Sequence, residues 1–234
     1  MQLYIIRHAQ STNNALPDER DRVCDPPLTS LGWRQAETLA QHLATRADLE
    51  PSWVSNGQPP SYRITRLYCS AMLRALQTAR PIAASLGLTP IVWPDIHECG
   101  GVYLDHPESG KVGYPGLGRS AILGDFPGYE LPETLAEEGW YSGGFEEWEA
   151  RQVRAARVAA ELVRQRESND TVALISHGDF IKTLLRVLFR QPPDIAIAYY
   201  HYNTAISRLD LRADGYLDVH YLNRVEHLPP DLIS

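Results

Sequence analysis

Apolar residues fall into two rhythms along the chain. Short runs rich in β-branched and aromatic residues, Leu3-Tyr4-Ile5-Ile6, Leu67-Tyr68-Cys69, Ile91-Val92-Trp93 and Thr171-Val172-Ala173-Leu174-Ile175, predict strands. The unbroken apolar character of the first and last suits central strands covered on both faces. Between these runs the spacing turns helical. Ala36, Leu39, Ala40, Leu43 and Ala47 form one stripe, introduced by Pro27-Leu28-Thr29-Ser30-Leu31-Gly32, where Thr29 or Ser30 can cap. Ala75, Leu76, Ala79, Ile82, Ala83 and Leu86 form a second, with Ser70 as its cap and Gly87 as its stop. Pro81 is expected to kink or divide that helix, because it lacks an amide donor and crowds the preceding turn. A third helix is predicted from Glu146 to about Arg166, with Val153, Ala156, Val158, Ala160 and Leu162 among its apolar residues, and a fourth after His177-Gly178 through Leu184, Leu185, Val187 and Leu188. Ala205 to Leu211 and Tyr216 to Leu222 are further strand candidates, and Asp48 to Ser61 reads as a loop.

Strands alternating with helices predict an α/β three-layer sandwich with a mostly parallel central sheet, formed as one domain over residues 1–234. The stretch from Cys99 to Gly144 breaks the pattern. Glycine, proline and aromatics dominate it and no period persists, so it is expected to be an irregular inserted lid, ordered by Tyr103, Tyr114, Phe126, Tyr129, Trp140, Tyr141 and the following Phe145.

Composition narrows the function. Lys and Arg total 22 against 29 Asp and Glu, a net charge of −7, which disfavours nucleic acid or an anionic membrane as partner. No apolar run has the length of a membrane span, and no secretory leader is evident. Cys24, Cys69 and Cys99 are odd in number and lack a CxxC pair, which argues against a disulfide framework or a zinc site and suits a cytoplasmic protein. An anionic substrate would need a local cluster of arginines to override the global sign.

Such a cluster is available at the strand ends. The three strongest strands run out in Arg7-His8, in Ser70 followed by Arg74, and in Ser176-His177-Gly178. If the strands are parallel neighbours, two histidines and two arginines face one crevice, where open α/β sheets hold ligands. Two arginines there can grip a phosphoryl group, and helices starting after the second and third strands would aim free amides at it. A histidine beside them could act as nucleophile, base, acid or hydrogen-bond donor. The arginines favour the neutral imidazole of His8, the form that attacks phosphorus.

Four motifs, in order, resemble the histidine phosphatase superfamily, also called phosphoglycerate-mutase-like: Arg7-His8-Ala9-Gln10-Ser11 with Asn14; Pro27-Leu28-Thr29 with Gly32 and Gln35-Ala36; Ser70 with Arg74-Ala75 and Gln77-Thr78-Ala79; and Ser176-His177-Gly178. The resemblance runs from the N-terminus to about residue 211 and leaves the insertion uncovered. It implies that His8 is a nucleophile forming phosphohistidine, that Arg7, Arg74 and His177 stabilise the phosphoryl oxygens, and that Asn14 is a further phosphate contact. It also implies an acid after the strand that follows the Arg74 helix. Glu98, in Ile96-His97-Glu98-Cys99-Gly100-Gly101, occupies that place, with Asp95, Asp105 and Glu108 close in sequence.

Two residues depart from the family pattern. Ala9 stands where glycine is usual, and Gln10 where glutamate is frequent. Alanine is harmless there unless the backbone needs positive φ. The resemblance implies a metal-independent phosphatase of a small phosphorylated substrate that needs no cofactor. A phosphoglycerate mutase is the alternative, but mutases usually carry an arginine and a Tyr-Gly-Gly run after the acid and further lysine and arginine residues beyond. This chain has Cys99-Gly100-Gly101-Val102, and Lys111 and Arg119 are the insertion's cations. A phosphate-binding regulator without turnover is a third reading. His97, His106, His201 and His220 lack ligand spacing, so no metal is assigned, and His97 is expected at the surface. Substrate identity and oligomeric state stay open.

Overall fold

A computed structural model describes residues 1–45, 62–192 and 197–234, so Ala47 and the loop expected at 48–61 lie outside the described residues. Six strands form the central sheet: β1 (Gln2–Arg7), β2 (Arg66–Cys69), β3 (Pro90–Val92), β6 (Thr171–Ser176), β7 (Ile206–Leu211) and β8 (Leu217–Arg224). Their order is β3-β2-β6-β1-β7-β8. The first four run parallel, and β7 is antiparallel to both its neighbours. The predicted α/β sandwich with a mostly parallel sheet is the fold observed.

Alternation along β1 explains the layers. Tyr4 and Ile6 point into one apolar cluster, shared with α1 (Ser30–Thr45) and α2 (Leu73–Leu86), while Leu3 and Ile5 point into the opposite one, shared with α4 (Trp148–Arg164) and α5 (Gly178–Leu188). Both faces are buried, and each buried Leu or Ile contributes about 1.5–3 kcal/mol.

Of the expected caps and stops, Thr29 and Gly87 serve and Ser70 does not. Thr29, not Ser30, caps α1: its Oγ1 accepts from the Gly32 amide at 2.9 Å. Ser70 does not cap α2, which starts at Leu73; its hydroxyl accepts instead from Met72 N at 3.2 Å in the turn before. Pro81 leaves α2 undivided over 14 residues, and Gly87 ends it with φ of 66°. In α4 the buried stripe is Arg154, Ala155, Val158, Ala159 and Leu162, while Val153 is 65% exposed.

The insertion keeps long irregular stretches but contains a hairpin, β4 (Tyr103–His106) with β5 (Gly110–Gly113), and a short helix, α3 (Arg119–Asp125). Much of it extends the core rather than roofing the crevice, since Ile122, Phe126, Tyr129 and Leu135 join the cluster under α1 and α2. Its Glu130 also pairs with the β3 edge, through Val92 N to Glu130 O at 2.8 Å and Glu130 N to Pro90 O at 2.9 Å, covering a strand edge that would otherwise be open. Among the described residues no helix is long and apolar enough to cross a membrane.

Candidate active site

The carboxyl ends of β2, β6 and β1 are adjacent and nearly level, with Arg7 opposite Ser176 and Cys69 opposite Ile175. This register brings Arg7, His8, Arg74 and His177 together, as the strand ends predicted. Arg7, His8, Asn14, Arg74 and Glu98 line one cavity of about 420 Å³. His177 stands behind it, its ring centroid 4.9 Å from that of His8.

His8 is held in one protonation state. Its amide donates to Ser176 O at 2.8 Å. Its ring Nδ1 lies 2.7 Å from the carbonyl of Ala9, an acceptor only, so Nδ1 carries the hydrogen. Nε2 is then the lone-pair nitrogen, and it accepts from Arg74 Nε at 3.2 Å. Burial, and after it the charges of Arg74 and Arg7, hold the imidazole well below its usual pKa. His177 is likewise lowered, by burial first and then by Arg74 and His8.

The site carries polar atoms without protein partners. Both ring nitrogens of His177 and Nε of Arg7 are buried and unbonded, while Arg7 is anchored elsewhere through Nη1 to His201 O at 2.6 Å. Leaving such groups unpaired costs about 1–3 kcal/mol each. These unpaired groups lie on residues adjacent to His8, with the His177 ring centroid 4.9 Å from its own.

Glu98 is brought to the same cavity, whereas Asp95 forms a surface ion pair with Arg157 at 2.8 Å, and neither Asp105 nor Glu108 lines the cavity. Its Oε1 accepts from the amides of Cys99 (2.8 Å) and Phe180 (2.9 Å), and Oε2 from Asp179 N at 3.4 Å. Burial, then the neighbouring Asp179, raise its pKa against the opposing charge of Arg74. The expectation of free helix amides is thereby corrected. The first turn of α5 is occupied by Glu98, and the Leu73 amide that opens α2 is taken by Asp25 at 3.0 Å. Protein carboxylates satisfy the orphan amides, and arginine and histidine are left to face the cavity.

Asn14 directs its Oδ1 away from ligand, accepting from Ser11 N (3.1 Å), Ser11 Oγ (3.0 Å) and Asn203 Nδ2 (3.4 Å), which leaves its NH2 as the group it can offer. Ala9 is not in the positive-φ region and packs against Leu28 and Ala36, so the missing glycine costs nothing here. Gln10 turns from the cavity toward Thr29, whose Oγ1 donates to its Oε1 at 2.7 Å. His97 is not at the surface: it is buried against Trp140 and Tyr141, with its pKa lowered to about 4 by burial and then by Arg154. No cluster of His, Cys, Asp or Glu among the described residues is placed to hold a metal ion.

Several contributors were not read from the sequence. Asp25 sits 3.8 Å from Arg74 Nη1, with its carboxyl pushed up to about 6 by burial against that arginine and the Leu73 amide. It stands two residues before the Pro27-Leu28-Thr29 motif, the one local signal that could have drawn notice. Arg22, Lys182, Tyr199 and Tyr200 line the outer cavity, where the insertion provides Tyr103 and Gly101.

A mostly parallel sheet flanked by helices, with two arginines and two histidines gathered at and just beyond three strand ends, defines an α/β protein of the three-layer class. The chain belongs to the histidine phosphatase superfamily (branch 1), whose family profile matches residues 3–58 and 59–224. A protein named probable phosphoglycerate mutase GpmB, from Yersinia enterocolitica, is 25% identical over 220 residues, covering 93% of this chain and 88% of that protein. Among solved structures, a mycobacterial glucosyl-3-phosphoglycerate phosphatase in complex with VO3 superposes with a TM-score of 0.59 at 20% identity, covering 96% of this chain and 99% of its own. Phosphoserine phosphatase from Entamoeba histolytica, in complex with 3-phosphoglyceric acid, gives the same TM-score and identity, covering 97% of this chain and 99% of its own. At such identities these structures establish the fold.

Proposed function

We propose that this protein is a metal-independent phosphatase that hydrolyses a small phosphate monoester through a phosphohistidine on His8, acting as one catalytic unit to whose cavity the start of the insertion contributes Cys99, Gly101 and Tyr103. The observation that carries the reading is the fixed tautomer of His8. Its Nε2 lone pair stands among Arg74, the unbonded Arg7 Nε and the unbonded ring of His177. In the first step Nε2 forms a bond to phosphorus while the ester P–O bond breaks. Arg7, Arg74, His177 and the Asn14 amide take the equatorial oxygens, and Glu98 gives its proton to the departing alkoxide. Oε2 is the proton-bearing oxygen, because Oε1 already accepts from two amides. In the second step water attacks phosphorus, Glu98 as carboxylate takes a proton from it, and the P–N bond breaks to release inorganic phosphate and restore neutral His8.

A mutase must also hold a second phosphate. The insertion's cations are committed elsewhere: Lys111 Nζ sits 3.7 Å over the Phe145 ring, and Arg119 Nη1 donates to Pro132 O at 2.9 Å. Of the outer-cavity cations Lys182 is paired with Asp179 at 2.6 Å, which leaves Arg22 to meet a second phosphate and favours hydrolysis over phosphoryl return. The reduced state of three unpaired cysteines suits the cytoplasm as the place of action.

The test is release of p-nitrophenol from p-nitrophenyl phosphate with a chelator present, beside His8→Ala. Turnover by the parent, loss of about 10³-fold or more in the variant, and an acid-labile phosphoenzyme trapped on the parent are expected. Chelator sensitivity or full activity in His8→Ala would overturn the mechanism, and interconversion of 2- and 3-phosphoglycerate would replace hydrolysis by mutase chemistry.

A further inference from the structure

Arg154 lies in the middle of α4, outside the cavity, and is 4% exposed. Its guanidinium makes four short bonds. Nε and Nη2 donate to the two oxygens of Glu146, each at 2.6 Å, and Nη1 donates to the carbonyls of Asp95 (2.7 Å) and His97 (2.9 Å). Its face also lies 4.5 Å from the ring centroid of Phe180. Three of these partners, His97, Glu146 and Phe180, touch something that holds Glu98. His97 O immediately precedes Glu98. Glu146 N donates to Gly100 O at 3.0 Å, two residues after it. Phe180 supplies the amide that bonds Glu98 Oε1.

A buried ion pair of this kind is a poor source of stability, since desolvating both charges offsets most of their attraction. What it supplies is fixed geometry. Arg's planar fork can hold a carboxylate and two carbonyls in one plane, which a lysine or an apolar residue cannot. The segment that leads into α4 just after the insertion, the loop that carries the acid, and the first turn of α5 are thereby tied to one side chain.

We infer that Arg154, braced by Glu146, is the positioning residue that aims the carboxyl of Glu98 at the leaving-group oxygen and so sets how well poor leaving groups are expelled. The inference rests on the phosphatase reading above. A misplaced acid slows the expulsion of an oxygen that needs a proton and spares one that departs as a stable anion, whereas a general loosening of the fold lowers both alike.

The experiment measures kcat/KM for substituted phenyl phosphates from p-nitrophenyl to p-methoxyphenyl in the parent and in Arg154→Gln. Loss of less than about threefold on the p-nitrophenyl ester and about tenfold or more on the p-methoxyphenyl ester is expected, from the 10²–10⁴ that a placed acid contributes. Equal loss across the series, or none, overturns the inference. Should Arg154→Gln not accumulate folded, Glu146→Gln, which keeps the shape and removes the brace's charge, is read in the same way: a steeper leaving-group dependence supports the inference and a parallel one overturns it. A parent inactive on every ester would instead defeat the phosphatase reading, a result distinct from a parallel loss.

Discussion

Asp25 sets the charge beside Arg74, where the proposed function places phosphate. It caps α2 at Leu73 N and lies 3.8 Å from Arg74 Nη1, so above its raised pKa of about 6 it is an anion competing with substrate for the same guanidinium. Below that pH it is neutral and Arg74 is left wholly to the ligand. Asp25→Asn keeps an oxygen for the cap while removing the charge. At pH 7.5 the variant is expected to bind inorganic phosphate more tightly by about 1 kcal/mol, roughly fivefold, and at pH 5 parent and variant are expected to converge. Isothermal titration at the two pH values checks this, with the ratio between proteins cancelling the ligand's own ionisation. Weaker binding at both pH values would mean that Asp25 acts by holding Arg74 in place.

At the scale of elements, the first turn of α1 is pressed against the loop that follows β1. Thr29 N donates to Gln10 O at 3.0 Å, Gln10 N donates to Gln35 Oε1 at 2.7 Å, and a Cβ on Gly32 would overlap the carbonyl of Gln10. Gly32→Ala must therefore push α1 off the backbone two residues beyond His8. A loss of about 2–3 kcal/mol in chemical denaturation is expected, together with a raised KM. Gly87→Ala is the contrast: its new methyl meets nothing, and only the φ of 66° opposes it. That variant is expected to lose about 1 kcal/mol with kinetic parameters unchanged. A matching change in KM for both would separate KM from the α1 contact.

What could be read from the sequence at this scale follows physical rules. The strands were legible because β1 and β6 are covered on both faces and so are apolar throughout; their ends carried Arg7, His8 and His177 of the candidate site, while Arg74 follows β2 in the first turn of α2. The β4–β5 hairpin was not, since Leu104, Asp105 and Lys111 are partly or largely exposed and leave no alternation to see. The buried face of α4 was not legible because it includes Arg154, a buried charge whose partner Glu146 and carbonyl acceptors lie on other segments. The occupancy of helix amides by Asp25 and Glu98 was equally hidden, as it joins residues 48 and 82 positions apart. Local pattern reports what a residue needs, and a distant carboxylate can meet the need without leaving a local trace.

For the molecule as a whole, the neutral histidines have a cost that appears in acid. Burial lowers His97 and His201 to about 4 and His227 to about 3, and His8 and His177 move the same way. The unfolded chain takes these protons near pH 6.5, whereas the folded chain refuses them until much lower pH. Stability from these groups is therefore complete above about pH 6.5 and is lost as pH falls toward the folded values. At about 1.4 kcal/mol per unit, the three histidines with stated values withdraw on the order of 10 kcal/mol. Asp25 and Glu98, both raised, act in the opposite sense, binding protons more readily when folded, but Asp25 returns only about 3 kcal/mol. The difference is comparable with the whole stability of a domain. Cooperative loss of near-UV circular dichroism is thus expected below about pH 5, with the proposed phosphatase activity failing along the same curve rather than along a titration of His8. His227→Gln removes one of the proton acceptors and is expected to move that curve to lower pH. Intact near-UV signal at pH 3.5 would mean that the histidines accept protons without unfolding. The acid limb of the pH–rate profile would then have to be assigned to the site itself.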